Sequence, residues 1–258
     1  MNNSFVKTKI DGGIATLTLA RPGQANALSE AMLDALEAAL AKADADQNTN
    51  VIIIAAEGKI FCAGHDLAEM RQHQDPAYFE ALFARCSKLM LAIRHSTKPV
   101  IAQVQGAAVA AGCQLVASCD LAYAADHAKF GVNGINLGLF CSTPAVAVSR
   151  AIRPRQALEL LLTGDLISAS RAYELGLINA ALPADRLAAH VTKVAEAIAA
   201  KPGESIALGK RLFWQQLQQD ETLAYQNAST CMATNIGFPE TRKRIDGFLA
   251  KQHSAKKA

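Results

Sequence analysis

The run Val51-Ile52-Ile53-Ile54 constrains this chain more than any other feature. Four consecutive β-branched residues favour extended backbone, and side chains that alternate up and down yet are all apolar need cover on both faces. Such a strand belongs inside a parallel sheet flanked by helices. Two further runs of this kind follow, residues 99–104 and Leu121-Ala122-Tyr123-Ala124. Helical patterns lie between and around them. Ser29 can cap a helix over 30–44, whose Met32, Leu33, Leu36 and Leu40 share one face. A second helix is predicted over 76–95. Ahead of both, residues 5–20 alternate as Val6, Thr8, Ile10 and Ile14, Thr16, Thr18 around Asp11-Gly12-Gly13, a hairpin whose turn needs positive φ. Arg21-Pro22-Gly23 breaks it. Strands alternating with helices indicate an α/β protein.

From about residue 152 the strand signals largely stop. Helices are predicted over 154–162, 168–175, 183–200, 202–218, 221–236 and 239–250. Phe213, Trp214 and Leu217 fit the apolar face of one of them. We therefore read residues 1–195 as the core and 196–258 as a helical C-terminal region that leans on the core or on a neighbouring subunit. With 51% hydrophobic residues in 258, the chain can bury a sizeable core and is not disordered.

Charge and cysteine content narrow the function classes. Lys plus Arg exceeds Asp plus Glu by 26 − 23 = 3, too small a surplus for a nucleic-acid binder, though compatible with a local basic pocket. The cysteines, Cys62, Cys86, Cys113, Cys119, Cys141 and Cys231, form no C-x-x-C pair and read as free thiols in a reducing compartment. Residues 1–9 show no signal-peptide pattern, and the apolar stretch 106–117 is far short of the ~20 residues of a membrane span. A soluble, cytoplasmic protein with no membrane or nucleic-acid partner is the expectation. No metal-ligand spacing occurs, and Gly131-Val132-Asn133-Gly134 completes no dinucleotide or phosphate-loop fingerprint. His95, His127 and His190 read as solvated.

Two segments can carry chemistry. Phe61-Cys62-Ala63-Gly64-His65-Asp66-Leu67 follows the first buried strand, and Gly106-Ala107-Ala108-Val109-Ala110-Ala111-Gly112-Cys113-Gln114 follows the second. Each places small residues where a strand gives way to a helix. Small side chains let a ligand approach the backbone, and the first N–H groups of a helix are unpaired donors. Two such donors aimed at one point make an oxyanion hole. Taken singly, each segment reads more readily as tight strand–helix packing, and the pair together is more specific.

With these segments in view, the chain resembles the crotonase (enoyl-CoA hydratase/isomerase) superfamily. The resemblance begins with Ala20-Arg21-Pro22 and Asn26-Ala27-Leu28-Ser29, takes in both segments, and continues through Cys119-Asp120-Leu121-Ala122-Tyr123-Ala124 and Lys129-Phe130-Gly131. Leu162-Thr163-Gly164-Asp165-Leu166-Ile167-Ser168-Ala169 and Leu175-Gly176-Leu177-Ile178 complete it. It implies the crotonase (ClpP-like) fold of repeated ββα units with a helical C-terminal region, assembled as a homotrimer or a dimer of trimers. The implied substrate is an acyl-CoA thioester, with coenzyme A part of the substrate and no separate cofactor. The implied oxyanion donors are the backbone N–H groups of His65 and Ala111. The implied CoA site comprises Ala25, Ala27, Leu28, Ala63, His65, Asp66 and Leu67, with Phe248 and Lys251 matching positions that reach the CoA of a neighbouring subunit.

The same resemblance exposes a departure. Enoyl-CoA hydratases use two glutamates, and the corresponding positions here read Gln114 and Gly134. A positioned acid–base group is worth about 10²–10⁴-fold. Ser142 stands near the place where other members carry a catalytic aspartate, and a hydroxyl cannot replace a carboxylate. His65 is the candidate base. Cys141, at a predicted helix start, could have a lowered pKa, but a packed thiol is the favoured reading. An enoyl-CoA hydratase of weak activity is the leading expectation. Other thioester chemistry (hydrolysis or decarboxylation) and a non-catalytic acyl-CoA-binding role are the alternatives, with RNA binding ranked last.

Overall fold

A computed structural model describes residues 4–255, with side chains through residue 252. The first two strands, β1 (Val6–Asp11) and β2 (Ile14–Leu19), pair antiparallel around Gly12 and Gly13, both at positive φ. Helix α1 (Glu30–Ala45) follows, its N–H of Met32 donating to the Ser29 hydroxyl and its buried face formed by Met32, Leu33, Leu36 and Leu40. Then come β3 (Val51–Ala56), β4 (Ile60–Cys62), the short α2 (Leu67–Met70) and the long α3 (Pro76–His95). The pattern repeats with β5 (Val100–Val104), β6 (Ala107–Val109) and α4 (Ala111–Ser118). It repeats again with β7 (Leu121–Ala125), β8 (Lys129–Gly131), a 3-10 turn over Asn133–Leu137 and α5 (Ser142–Ala151). Helix α6 (Pro154–Thr163), β9 (Ile167–Ser168), α7 (Ala169–Leu175), β10 (Ala180–Leu182) and α8 (Ala184–Ala199) complete the larger part.

Each repeat thus sends one strand into a large sheet, a second short strand into a small sheet, and then a helix. The large sheet runs β1-β2-β3-β5-β7-β10 and is parallel from β2 onward; the small one runs β4-β6-β8-β9, with β9 antiparallel. Strand β3 sits between β2 and β5 with Val51, Ile52, Ile53 and Ile54 all buried, as its continuous apolar run requires. Beyond residue 152, where the strand signals largely stop, two short strands remain. β9 and β10 lie there, each two or three residues long and only half-buried. The last predicted helix also extends past residue 250.

The chain divides into two compact units, 1–198 and 199–258. The second holds α9 (Gly203–Gln216), α10 (Glu221–Ile236) and α11 (Pro239–Ala255). Neither α9 nor α10 buries a single residue, and Phe213, Leu217, Tyr225, Met232 and Ile236 are all more than half exposed. Among the described residues no helix is long and apolar enough to cross a membrane. All the cysteines are free; Cys231 alone is half-buried and the other five are buried. Burial pushes the thiols of Cys62, Cys86 and Cys113 up to about 12. His95 and His127 are exposed, whereas His190 is half-buried in α8 against the Tyr123 ring, with centroids 5.0 Å apart.

Candidate active site

The site begins with a buried amide. Asn26 is fully buried, its Oδ1 accepting from the Arg21 N–H at 2.9 Å and its Nδ2 donating to the carbonyls of Glu57 (2.9 Å) and Ile60 (2.8 Å). Ala25 and Asn26 both stand at φ near +50, a conformation that asparagine tolerates better than most residues. This stitch presses the loop before α1 onto the loop between β3 and β4. The Ala63 N–H then reaches the Ala25 carbonyl at 3.1 Å, and the Leu28 N–H reaches the Gly64 carbonyl at 2.7 Å. In the resulting parallel bridge between Leu28 and His65, the bond runs through the Gly64 carbonyl, so the His65 N–H lies off the ladder.

The two small-residue segments interlock. A Cβ on Gly64, which stands at φ +93, would meet the Ala110 Cβ at 2.9 Å and the Ala111 N at 3.2 Å. A Cβ on Gly112 would meet the Cys62 carbonyl oxygen at 2.1 Å. Only glycine at both places lets the ends of β4 and β6 come this close. Ala110, which caps α4, holds φ 49 and ψ −121, an arrangement costing an L-residue of the order of 1–3 kcal/mol. Its own N–H is fixed on the Gly131 carbonyl at 2.9 Å. Ala111 opens α4, so its N–H has no intrahelical acceptor, and the capping residue offers no side-chain acceptor. Among the described residues, neither the His65 nor the Ala111 N–H has a backbone partner.

Both residues line a cavity of about 440 Å³. Ala63 joins them on one wall; Met70 and Phe83 close the side of α2 and α3. The segment after β8 contributes Asn133, Gly134, Leu137, Leu139 and Phe140, and the start of α5 contributes Ser142, Thr143 and Pro144. Among the described lining residues there is no aspartate or glutamate, and the side chains there that can gain or lose a proton are His65 and Cys141.

His65 is held in one tautomer. Its Nδ1 lies 3.3 Å from the Leu28 carbonyl, which can only accept, so Nδ1 carries the proton and Nε2 the lone pair. The ring meets the Phe83 ring edge-on, centroids 5.3 Å apart at 71°. Nε2 is buried and has no hydrogen-bond partner. Burial holds the imidazole below its ordinary pKa, the Leu28 contact opposing it only in part, so the ring is neutral at pH 7.

Cys141 is a packed thiol and not an activated one. Burial raises its pKa, and the hydrogen bond that its Sγ accepts from the Gly134 N–H at 3.3 Å does not offset this. Gly134 itself is wedged: a Cβ there would meet the Leu139 carbonyl oxygen at 2.4 Å and the Cys141 Sγ at 2.8 Å. The Leu139 N–H returns to the Gly134 carbonyl at 3.1 Å, closing the loop on itself. Position 134 therefore has no room for a side chain in this loop.

The remaining sequence candidates sort by place. Ser142 lines the cavity, its N–H donating to the Phe140 carbonyl at 2.8 Å. Gln114 is 3% exposed within α4, outside the cavity wall, and its Oε1 has no partner. Ala63 and Leu67 line the cavity, whereas Ala25, Ala27, Leu28 and Asp66 do not. Asp66 caps α2, accepting from the N–H groups of Ala68 and Glu69 at 3.0 and 3.1 Å. Phe248 and Lys251 belong to the second unit, both exposed, Phe248 bordering a shallow cleft with Asn235 and Arg244. Phe83, Met70, Leu137, Leu139 and Phe140 escaped the sequence reading. The one signal for the last three is an apolar cluster, Leu137-Gly138-Leu139-Phe140, in a segment with no regular period.

Stacked ββα units, with an apolar cavity where the small-sheet strands end, define the class: an α/β protein of the crotonase fold. Residues 9–255 match the model of the enoyl-CoA hydratase/isomerase family, and the chain belongs to that family. It is 43% identical over 248 residues to the enoyl-CoA hydratase domain-containing protein 3, mitochondrial, of Rattus norvegicus, covering 96% of this chain and 83% of that one. The crystal structure of an enoyl-CoA hydratase from Mycobacterium smegmatis superposes with a TM-score of 0.94 at 47% identity, over 96% of both chains. That of human enoyl-coenzyme A hydratase domain-containing protein 3 gives 0.93 at 41%, over 96% of this chain and 98% of the other. The protein is an acyl-CoA-processing member of this family.

Proposed function

We propose that the protein is an enzyme that polarises the thioester carbonyl of an acyl-CoA with the backbone N–H groups of His65 and Ala111, and that it hydrates 2-enoyl thioesters slowly. One observation supports this above all. His65 and Ala111, whose N–H groups have no backbone partner among the described residues, line one apolar cavity, and the segments that carry them approach closely at Gly64 and Gly112. Fixed donors serve a developing enolate oxygen better than water does, because they need no reorganisation as the charge forms. The rate is slow because Gln114 and Gly134 occupy the positions at which relatives of the resembled type carry glutamates, and no other carboxylate lines the cavity.

Ala25, Ala27, Leu28, Ala63, His65, Asp66 and Leu67 belong to the CoA site in this reading, with Phe248 and Lys251 reaching the CoA of a neighbouring subunit. The chain assembles as a trimer or a dimer of trimers; the wholly unburied apolar positions of α9 and α10 support an intersubunit role. Coenzyme A arrives as part of the substrate, and no further cofactor takes part. Free thiols support a reducing compartment. The cavity wall without a carboxylate favours, as second reading, an acyl-CoA-binding protein with no turnover.

The test is hydration of a short trans-2-enoyl-CoA, followed by loss of the conjugated thioester absorbance, for the natural chain and Ala111→Pro. Proline is accommodated at the first position of a helix and replaces the N–H with a ring carbon, which also constrains the preceding Ala110. With folding checked by circular dichroism, turnover should fall about 10²–10³-fold in the variant. Undiminished turnover refutes the donor assignment, and no turnover by the natural chain leaves the binding role.

A further inference from the structure

Position 110 carries the wrong residue for its backbone. A φ of 49 with a ψ of −121 mirrors the first central residue of a type II turn, a place that glycine fills because it has no Cβ. Ala25, also at positive φ, stands in the ordinary left-handed region with ψ 29. The backbone of Ala110 is fixed from both sides. Its N–H donates to the Gly131 carbonyl at 2.9 Å, and its carbonyl accepts from the Gln114 N–H at 3.1 Å. Glycine would make both bonds without strain, so what alanine adds here is a methyl group. That methyl stands between the two donor segments. It lies 2.9 Å from where a Gly64 Cβ would be, and Ala110 lines the cavity. Gly64 immediately precedes His65, and Ala110 immediately precedes Ala111, so the contact is one peptide away from both N–H groups. Gly64 is held on its far side, where its carbonyl accepts from the Leu28 N–H at 2.7 Å.

We propose that the Ala110 methyl is the spacer that sets the separation of the two N–H donors, which makes Ala110 a positioning residue for the thioester carbonyl. The proposal rests on the assignment of those donors to His65 and Ala111. A carbonyl oxygen takes two hydrogen bonds well only when both donors aim at it from fixed places, and a misplacement of about 1 Å can cost about 10²-fold in rate. The methyl fixes them in two ways. It keeps the backbones at Gly64 and Ala110 from closing on each other, where otherwise neither residue would carry a Cβ. It also blocks rotation of the peptide that joins residues 110 and 111 and carries the Ala111 N–H. Glycine moves freely about these dihedrals, and that peptide would swing with it. The strain at Ala110 is then the cost of holding a donor still, as backbone strain at functional sites commonly is.

The test is Ala110→Gly in the full chain, read in two ways. Urea unfolding reads the strain. Glycine relieves it, and the relief outweighs the freedom that glycine adds to the unfolded chain, so the midpoint should move to higher urea concentration. Infrared spectroscopy of bound butyryl-CoA, labelled with ¹³C at the thioester carbonyl, reads the donors. The band should be broader than in the natural complex and displaced less from its aqueous frequency. Calorimetry should show the thioester still bound, weakened by no more than about tenfold, the equivalent of about 1.4 kcal/mol. A midpoint that does not rise means a methyl kept for packing alone, and overturns the proposal. A fully displaced band of natural width in the variant overturns it as well. If Ala111→Pro abolishes the displacement in the same experiment, the donor assignment stands and the spacer alone fails. A natural complex whose band sits at the aqueous frequency removes the donors, and the spacer with them.

Discussion

Three residues, Asn26, Gly134 and His65, decide the character of the site. Asn26 closes three backbone bonds from a fully buried position, so Asn26→Leu strands the carbonyls of Glu57 and Ile60 together. The loss should be about 2–4 kcal/mol by urea unfolding, on the basis of ~1–3 kcal/mol for each buried group left unsatisfied, partly relieved by solvent. Gly134 makes the opposite point. Restoring a carboxylate by Gly134→Glu drives a side chain into the Leu139 carbonyl and the Cys141 sulfur. Overpacking of this kind costs about 1–3 kcal/mol. The variant should unfold at lower urea concentration and gain no hydratase activity, even combined with Gln114→Glu; a large gain in turnover at unchanged stability would contradict the packing argument. His65 was visible in the sequence as a candidate base, but its tautomer was not. That depends on a carbonyl 37 residues away, brought near by the Asn26 loop.

At the scale of elements, the long ones were legible and the short ones were not. Helices α1 and α3 carry caps and an apolar face, and β3 carries an unbroken β-branched run, so local sequence and burial agree. Strands β4, β6 and β8 are three residues each, too short to show a period, and their extended form comes from pairing with one another. No window of sequence contains that information. Nor does it contain the joint between α1 and β5, where Asp44 accepts from the hydroxyls of Ser96 (2.7 Å) and Thr97 (2.9 Å) and from the N–H groups of Thr97 (2.8 Å) and Lys98 (3.3 Å). Burial works against the Asp44 charge, but these hydrogen bonds together hold its carboxyl below the ordinary carboxylate value. A carboxylate depressed in the folded state contributes stability above its unfolded pKa of about 3.9, and that contribution disappears as pH falls through the lower folded value. The stability difference between the natural chain and Asp44→Ala should therefore be constant from about pH 7 to 5 and shrink below about pH 4. A difference that is flat to pH 2 would show the clamp to be independent of the charge.

For the whole molecule, the α/β class and the helical C-terminal part were legible because they follow from the order of long elements. What that C-terminal part does was open to sequence only through resemblance, since an apolar helix face reads the same whether a core or another subunit covers it. The exposure of Met232 at 75% and Tyr225 at 69% within the second unit favours another subunit. On the proposed assembly, sedimentation velocity should give a trimer or a multiple of three for the natural chain and smaller species for Met232→Glu. An unchanged assembly in the variant would remove α10 from the interface.

The central claim concerns a carbonyl held by two N–H groups, and it can be read without any turnover. Infrared difference spectroscopy of butyryl-CoA labelled with ¹³C at the thioester carbonyl reports the polarisation of that bond directly. Binding to the natural chain should move the labelled stretch to lower frequency than in water, and Ala111→Pro should return most of the shift while the thioester remains bound. A carbonyl band at its aqueous frequency in the natural complex would contradict the account.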